Sequence, residues 1–102
     1  MERKQQLLVT SKALPGREEE YTSWYLNQHL ADVIAVPGFK SGQFFRSLDP
    51  TGQDIGEFKA LYEVEALEPA VLFGALMAQA AHMNLSDAID PNSVSFTFLV
   101  AA

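Results

Sequence analysis

The sequence predicts one α+β domain whose elements run β-α-β-β-α-β, and three observations carry that expectation. The chain is 102 residues long, which leaves room for a single domain. Short β-branched and aromatic runs stand near both ends and on either side of the turn signal Asp49-Pro50-Thr51-Gly52. Two longer segments with helix start and stop signals separate these runs.

Taken in order, Leu7-Leu8-Val9-Thr10 reads as the first strand, and Pro15-Gly16 punctuates the connection that follows. Glu18, Glu19 and Glu20 sit where a helix N-terminus favours negative charge, and the helix they open runs to about Ala35, before Pro37-Gly38. Phe39 to Leu48 reads as the second strand. A loop through Asp54 and Gly56 leads to a third strand, Phe58 to Val64, whose Phe58, Ala60, Tyr62 and Val64 alternate as a half-buried strand requires. Pro69 suits an early helix position, and the second helix runs through Val71, Leu72, Phe73, Leu76 and Met77 to about His82. A polar connection, Asn84 to Asn92, precedes the last strand, Val94 to Val100. This is the split βαβ, ferredoxin-like arrangement with an antiparallel sheet.

The terminal strands are apolar on both faces, at Leu7-Leu8-Val9 and Phe98-Leu99-Val100. The helices cover one face of the sheet, and the sequence contains no further element to cover the other. A second copy, sheet against sheet, is the expected cover, so the fold is expected to be a homodimer.

Composition removes several function classes. The net charge is -6, from 13 acids against 7 scattered bases, so nucleic acid and anionic membrane surfaces are not expected partners. With no cysteine there is no disulfide, no thiolate catalysis and no Cys-ligated metal. The polar start Met1-Glu2-Arg3-Lys4-Gln5-Gln6 does not read as a signal peptide, and no apolar run approaches the roughly 20 residues of a membrane span, so a cytoplasmic protein is expected. The two histidines, His29 and His82, have no metal-ligand spacing, and Gly52 and Gly56 have no phosphate-loop spacing; neither metal nor nucleotide cofactor is expected.

The first helix carries the unusual chemistry. Tyr21, Tyr25 and His29 form an i, i+4, i+8 row, and Asp32 follows His29 at i+3. Leu26, Leu30 and Val33 form a neighbouring apolar stripe expected to anchor the helix on the sheet, while Trp24 and Gln28 flank the row on its other edge. An imidazole exchanges protons near neutral pH, a carboxylate in reach orients it, and a phenol hydroxyl stabilises charge developing on oxygen. Aromatic rows on a helix also serve simply as core, and a His one turn before an Asp also occurs as a surface pair. Arg46 is a candidate partner for an anionic group, or an ordinary surface arginine. Phe44, Phe58, Tyr62, Phe96 and Phe98 either wall a substrate pocket or fill the core.

The stretch Tyr21, Trp24-Tyr25, His29-Leu30, Asp32-Val33 and Pro37-Gly38-Phe39 resembles the first-helix signature of the EthD-like branch of the dimeric α+β barrel superfamily. In that branch an aromatic-rich helix carries a histidine and a Pro-Gly turn leads into the second strand. The likeness spans residues 18 to 48 by motif and the whole chain by element order. It implies a homodimer with facing sheets and, in each subunit, a pocket between sheet and helices. His29 matches the pocket-lining position of several cofactor-free members. Members include polyketide cyclases, muconolactone-type isomerases, haem-degrading monooxygenases and proteins without known activity, so the fold does not fix the reaction.

These readings converge on a cofactor-independent enzyme performing isomerase, cyclase or lyase chemistry on a compact aromatic, lactone-like or polyketide-derived small molecule. His29 is the expected acid/base, Asp32 its orienting partner, and Tyr25 or Tyr21 the donor to oxygen. Trp24, Gln28 and the strand aromatics shape the pocket. The alternatives are a monooxygenase of the same superfamily, with or without haem, and a non-catalytic ligand-binding accessory dimer.

Overall fold

The computed structural model of the protein describes residues 5–65 and 68–102. Four strands, β1 (Gln5–Ser11), β2 (Phe39–Leu48), β3 (Asp54–Val64) and β4 (Ser95–Val100), form one antiparallel sheet in the order β2-β3-β1-β4. The first helix comprises α1 (Glu18–Trp24), a π-helical turn (Tyr25–His29) and α2 (Leu30–Ile34); α3 (Pro69–Ala80) is the second helix. This order of elements and strands is the ferredoxin-like one expected.

Strand β1 shows why the two faces differ. Gln5, Leu7, Val9 and Ser11 are buried toward the helices, while Gln6, Leu8 and Thr10 point the other way and are only half-buried. The core lies between the sheet and the helices: Leu7, Phe58, Ala60, Tyr62 and Val64 from the strands meet Tyr21, Tyr25, Val33, Leu72 and Leu76 from the helices. On the opposite face the register places Leu8 beside Leu61, with Phe45 and Leu99 further out.

Three features differ from the sequence reading. β3 begins at Asp54 rather than Phe58, because Asp54 still pairs with Leu48 across a register shift next to Gly56 (φ +73°). The loop is therefore only Asp49 to Gln53. Asp49 closes it by accepting hydrogen bonds from the Thr51 and Gln53 amides at 2.8 and 3.0 Å. The first helix spans nearly the expected range but is not α-helical throughout. Its phase also differs: Leu26, assigned to the anchoring stripe, is 54% exposed, and the tyrosine row itself is the buried face. Tyr21 and Tyr25 can occupy the core because their hydroxyls find polar partners there, which makes long aromatic side chains better anchors than leucine at these positions.

Candidate active site

A cavity of about 250 Å³ lies between the first helix, α3, the strands β1, β3 and β4, and the segment from Met83 to Val94. Most of its wall is apolar, and its polar groups come from Ser11, Tyr21, Trp24, Tyr25, His29, Tyr62 and Ser86. The connection over the cavity is tied down by backbone bonds from Leu14 N to the Ala88 carbonyl (2.7 Å) and from Asp90 N to the Lys12 carbonyl (2.9 Å). Arg17 holds the same segment by donating to Asp87 while pairing with Glu20.

The π-helical turn organises the site. In α geometry, residues five apart point about 140° away from each other; closing the turn over five residues brings them into line. Trp24 and His29 are separated by that interval, and their rings stack with centroids 4.4 Å apart and planes 20° from parallel. Tyr25 meets His29 edge-on at 4.8 Å. The Trp24 indole is fixed at its far end, where Nε1 donates to the Asn84 carbonyl at 2.9 Å.

Held this way, the His29 ring has its Nδ1 buried, with no hydrogen-bond partner among the described residues. Loss of solvent lowers its pKa to about 4, against a smaller opposing pull from the charge of Asp32. His29 is therefore a neutral imidazole across the physiological range. Tyr25 and Tyr62 share a hydrogen bond at 2.8 Å, and Ser11 and Tyr21 share one at 2.7 Å. Burial pushes the pKa of all three phenols up, so each keeps its proton. Gly42 makes room for this arrangement: a Cβ there would lie 2.6 Å from Cδ1 of Tyr62.

The structure brings together Tyr21, Trp24, Tyr25, His29, Tyr62 and Phe96 in the cavity wall. Other expected members fall outside it. Asp32 and Gln28 lie in a separate groove with Pro37 and His82; Asp32 is close enough for its charge to act on His29 but forms no hydrogen bond with it. Arg46 is exposed, 3.7 Å from Asp54 in a surface groove that also includes Phe58. Phe44 stacks between Tyr25 (4.1 Å) and Phe58 (5.3 Å), supporting the site from behind. Phe98 lies with Phe73 and Pro69 in a shallow depression.

Sequence reasoning missed Ser11, Leu76, Met77, Ser86 and the apolar residues Met83, Leu85 and Ile89. A signal existed, since Leu85 and Ile89 within the polar connection, with Met83 just before it, require a surface to cover.

No family model matches the sequence, and no curated protein matches it. Solved structures do match. An EthD (ethyl tert-butyl ether D) family protein from Bacillus halodurans superimposes with a TM-score of 0.64 at 13% identity, over 96% of this chain and 99% of that one. The two share the ferredoxin-like fold described above. A protein described as an antibiotic biosynthesis monooxygenase from Bordetella bronchiseptica matches with a TM-score of 0.64 at 9% identity, covering 98% of both chains. The hydroxynitrile lyase from Passiflora edulis matches with a TM-score of 0.61 at 12% identity, over 98% of this chain and 94% of that one. At these identities the likeness fixes the fold and leaves the chemistry to the residues of this chain. Among the described residues, no helix is long and apolar enough to cross a membrane.

Proposed function

We propose that this chain is a small, cofactor-independent enzyme that moves a proton on a compact, mostly apolar metabolite, in an isomerase, cyclase or lyase type of step. The observation that carries this reading is the His29 imidazole, which reaches a mostly apolar cavity with its Nδ1 buried and unpartnered. Buried polar atoms are nearly always satisfied, and exceptions concentrate where a ligand or a reaction supplies the missing partner. His29 takes a proton from a carbon beside a carbonyl, and a phenol hydroxyl from Tyr25 or Tyr62 donates to the oxygen on which negative charge develops. Both charges form inside a mostly apolar cavity, so each stabilises the other more strongly than it would in water. A neighbour named as a hydroxynitrile lyase is in keeping with proton chemistry on this fold.

The protein acts as a homodimer in this reading. Leu8, Leu61, Phe45 and Leu99 form an apolar set on the sheet face away from the helices, and a second copy covers it. Sedimentation of the purified protein tests the pairing: a monomer at micromolar concentration removes it.

The chemical step is tested by incubating the cofactor-free protein in deuterium oxide with small ketones and lactones and following exchange of the α-hydrogens by NMR. Exchange is expected with the wild type, and His29→Asn should slow it by about 100-fold or more. Exchange indifferent to His29 removes the catalytic assignment. A ligand bound with unchanged affinity by His29→Asn and never turned over supports the accessory-binder alternative. Oxygen uptake with a substrate, or a Soret band in the purified protein, supports the monooxygenase alternative raised by neighbours of that description.

A further inference from the structure

Counting hydrogens at the buried hydroxyl pairs narrows what the cavity accepts. Each phenol has one hydrogen to donate. The 2.8 Å contact between Tyr25 and Tyr62 uses one of the two, and the other finds no acceptor among the described residues. Tyr62 is fully buried and Tyr25 almost so, and the little surface the pair opens to the cavity belongs to Tyr25. Tyr25 meets the His29 ring edge-on, so this hydroxyl pair, rather than that of Ser11 and Tyr21, adjoins the base.

Charge and size narrow the choice further. The titratable residues lining the cavity are Tyr21, Tyr25, Tyr62 and His29, and no lysine, arginine or carboxylate is among them. An ionised ligand would lose its hydration there without meeting an opposite charge. An apolar cavity of about 150 Å³ in another protein accommodates benzene. By proportion, a cavity of about 250 Å³ takes a molecule of about ten non-hydrogen atoms. The exposed lining residues Met77 and Leu85 mark where such a molecule enters.

We propose that the cavity selects an uncharged, single-ring-sized molecule bearing a hydrogen-bond-accepting oxygen, and that the spare hydroxyl hydrogen of the Tyr25–Tyr62 pair is the donor that recognises this oxygen. The proposal rests on reading the cavity as the substrate site, but it concerns binding and does not require turnover.

Trp24 is the only tryptophan and lines the cavity, so its fluorescence reports occupancy directly. Acetophenone, cumene and benzoate have the same number of non-hydrogen atoms and differ in carrying a neutral acceptor, no acceptor and a charge. Titrated at neutral pH, acetophenone is expected to bind about 5- to 10-fold tighter than cumene. Benzoate is expected to bind at least about 100-fold more weakly than acetophenone. In Tyr25→Phe/Tyr62→Phe the advantage of acetophenone over cumene disappears while cumene binds as before, which also shows that the cavity is intact. Tyr21→Phe/Ser11→Ala, which empties the other hydroxyl pair, leaves the advantage in place.

If the double phenylalanine variant does not fold, the carbonyl stretch of carbon-13-labelled acetophenone bound to the wild type carries the test. A shift to lower frequency supports the phenol contact; an unshifted band refutes it. The proposal is overturned by cumene matching acetophenone, by benzoate binding as well as acetophenone, by binding of none of the three, or by an advantage that survives loss of both phenols. His29→Asn separates the two claims: it should preserve the binding order, so a preserved order without His29-dependent exchange defeats the catalytic reading alone.

Discussion

The environment of His29 makes a prediction about stability that needs no substrate. Its pKa falls from 6.5 to about 4 on folding, a difference of about 2.5 units. At about 1.36 kcal/mol per unit, this links about 3 kcal/mol of folding free energy to the protonation of one ring. The sign follows from proton counting. Between the two pKa values the unfolded chain holds a proton on His29 that the folded chain does not, so stability rises with pH across this window. The contribution is fully present above pH 6.5 and is lost as pH falls toward 4. The perturbation is His29→Asn, which cannot titrate. Urea unfolding of wild type and variant, at one protein concentration and at steps from neutral pH to pH 4, gives a stability difference in which shared carboxylate titrations cancel. That difference should shift against the wild type by about 3 kcal/mol over the window. A difference constant with pH would falsify the burial argument, because it would mean that the ring titrates alike in the folded and unfolded chains.

Further outcomes follow from the same geometry. The His29-dependent exchange rate should hold steady as pH is lowered through 6.5 and fall only near pH 4, because the base works when unprotonated; a fall centred near 6.5 would count against a desolvated base. Trp24→Ala removes the stacked ring and admits water, so the His29 titration followed by NMR should move up from about 4 toward 6.5, whereas an unchanged titration would assign the desolvation to other neighbours. Gly42→Ala places a methyl group against the buried Tyr62 ring and should cost about 1–3 kcal/mol in thermal or urea unfolding, together with weaker acetophenone binding; a neutral effect would show that the ring is free to move.

Much of the architecture was legible because local chemistry and fold agree. The Phe39–Leu48 strand matches its sequence reading at both ends, since Pro37-Gly38 and Asp49-Pro50 bound it unambiguously. The element order required only periodicity and punctuation. The candidate site was legible in part. Tyr21, Trp24, Tyr25 and His29 came from composition and spacing, and all line the cavity. The π-helical turn at Tyr25–His29 leaves no mark in residue types, because propensities distinguish helix from non-helix rather than one hydrogen-bond closure from another. Two further readings differ from the structure, which puts Asp32 in a separate groove and leaves Leu26 exposed. Arg46 and Phe98 were drawn toward the site by residue type alone, although arginine on an edge strand more commonly faces solvent, as it does here.

The desolvated histidine and the phenol pair make sense only together. A histidine with a pKa of about 4 is a poor base toward water, so burial alone would work against proton abstraction. What changes in the reaction is the neighbourhood: proton transfer creates an imidazolium and an oxyanion inside the same cavity, and their attraction is greatest where solvent is excluded. In this scheme the spare phenol hydrogen of the Tyr25–Tyr62 pair meets the oxyanion, so little reorganisation is needed as charge develops. The stacked indole has two effects under this scheme, holding the imidazole in position and keeping it uncharged until a substrate supplies the opposite charge. Stabilisation is then withheld from the resting protein and delivered to the transition state, which is the condition for binding energy to accelerate a reaction.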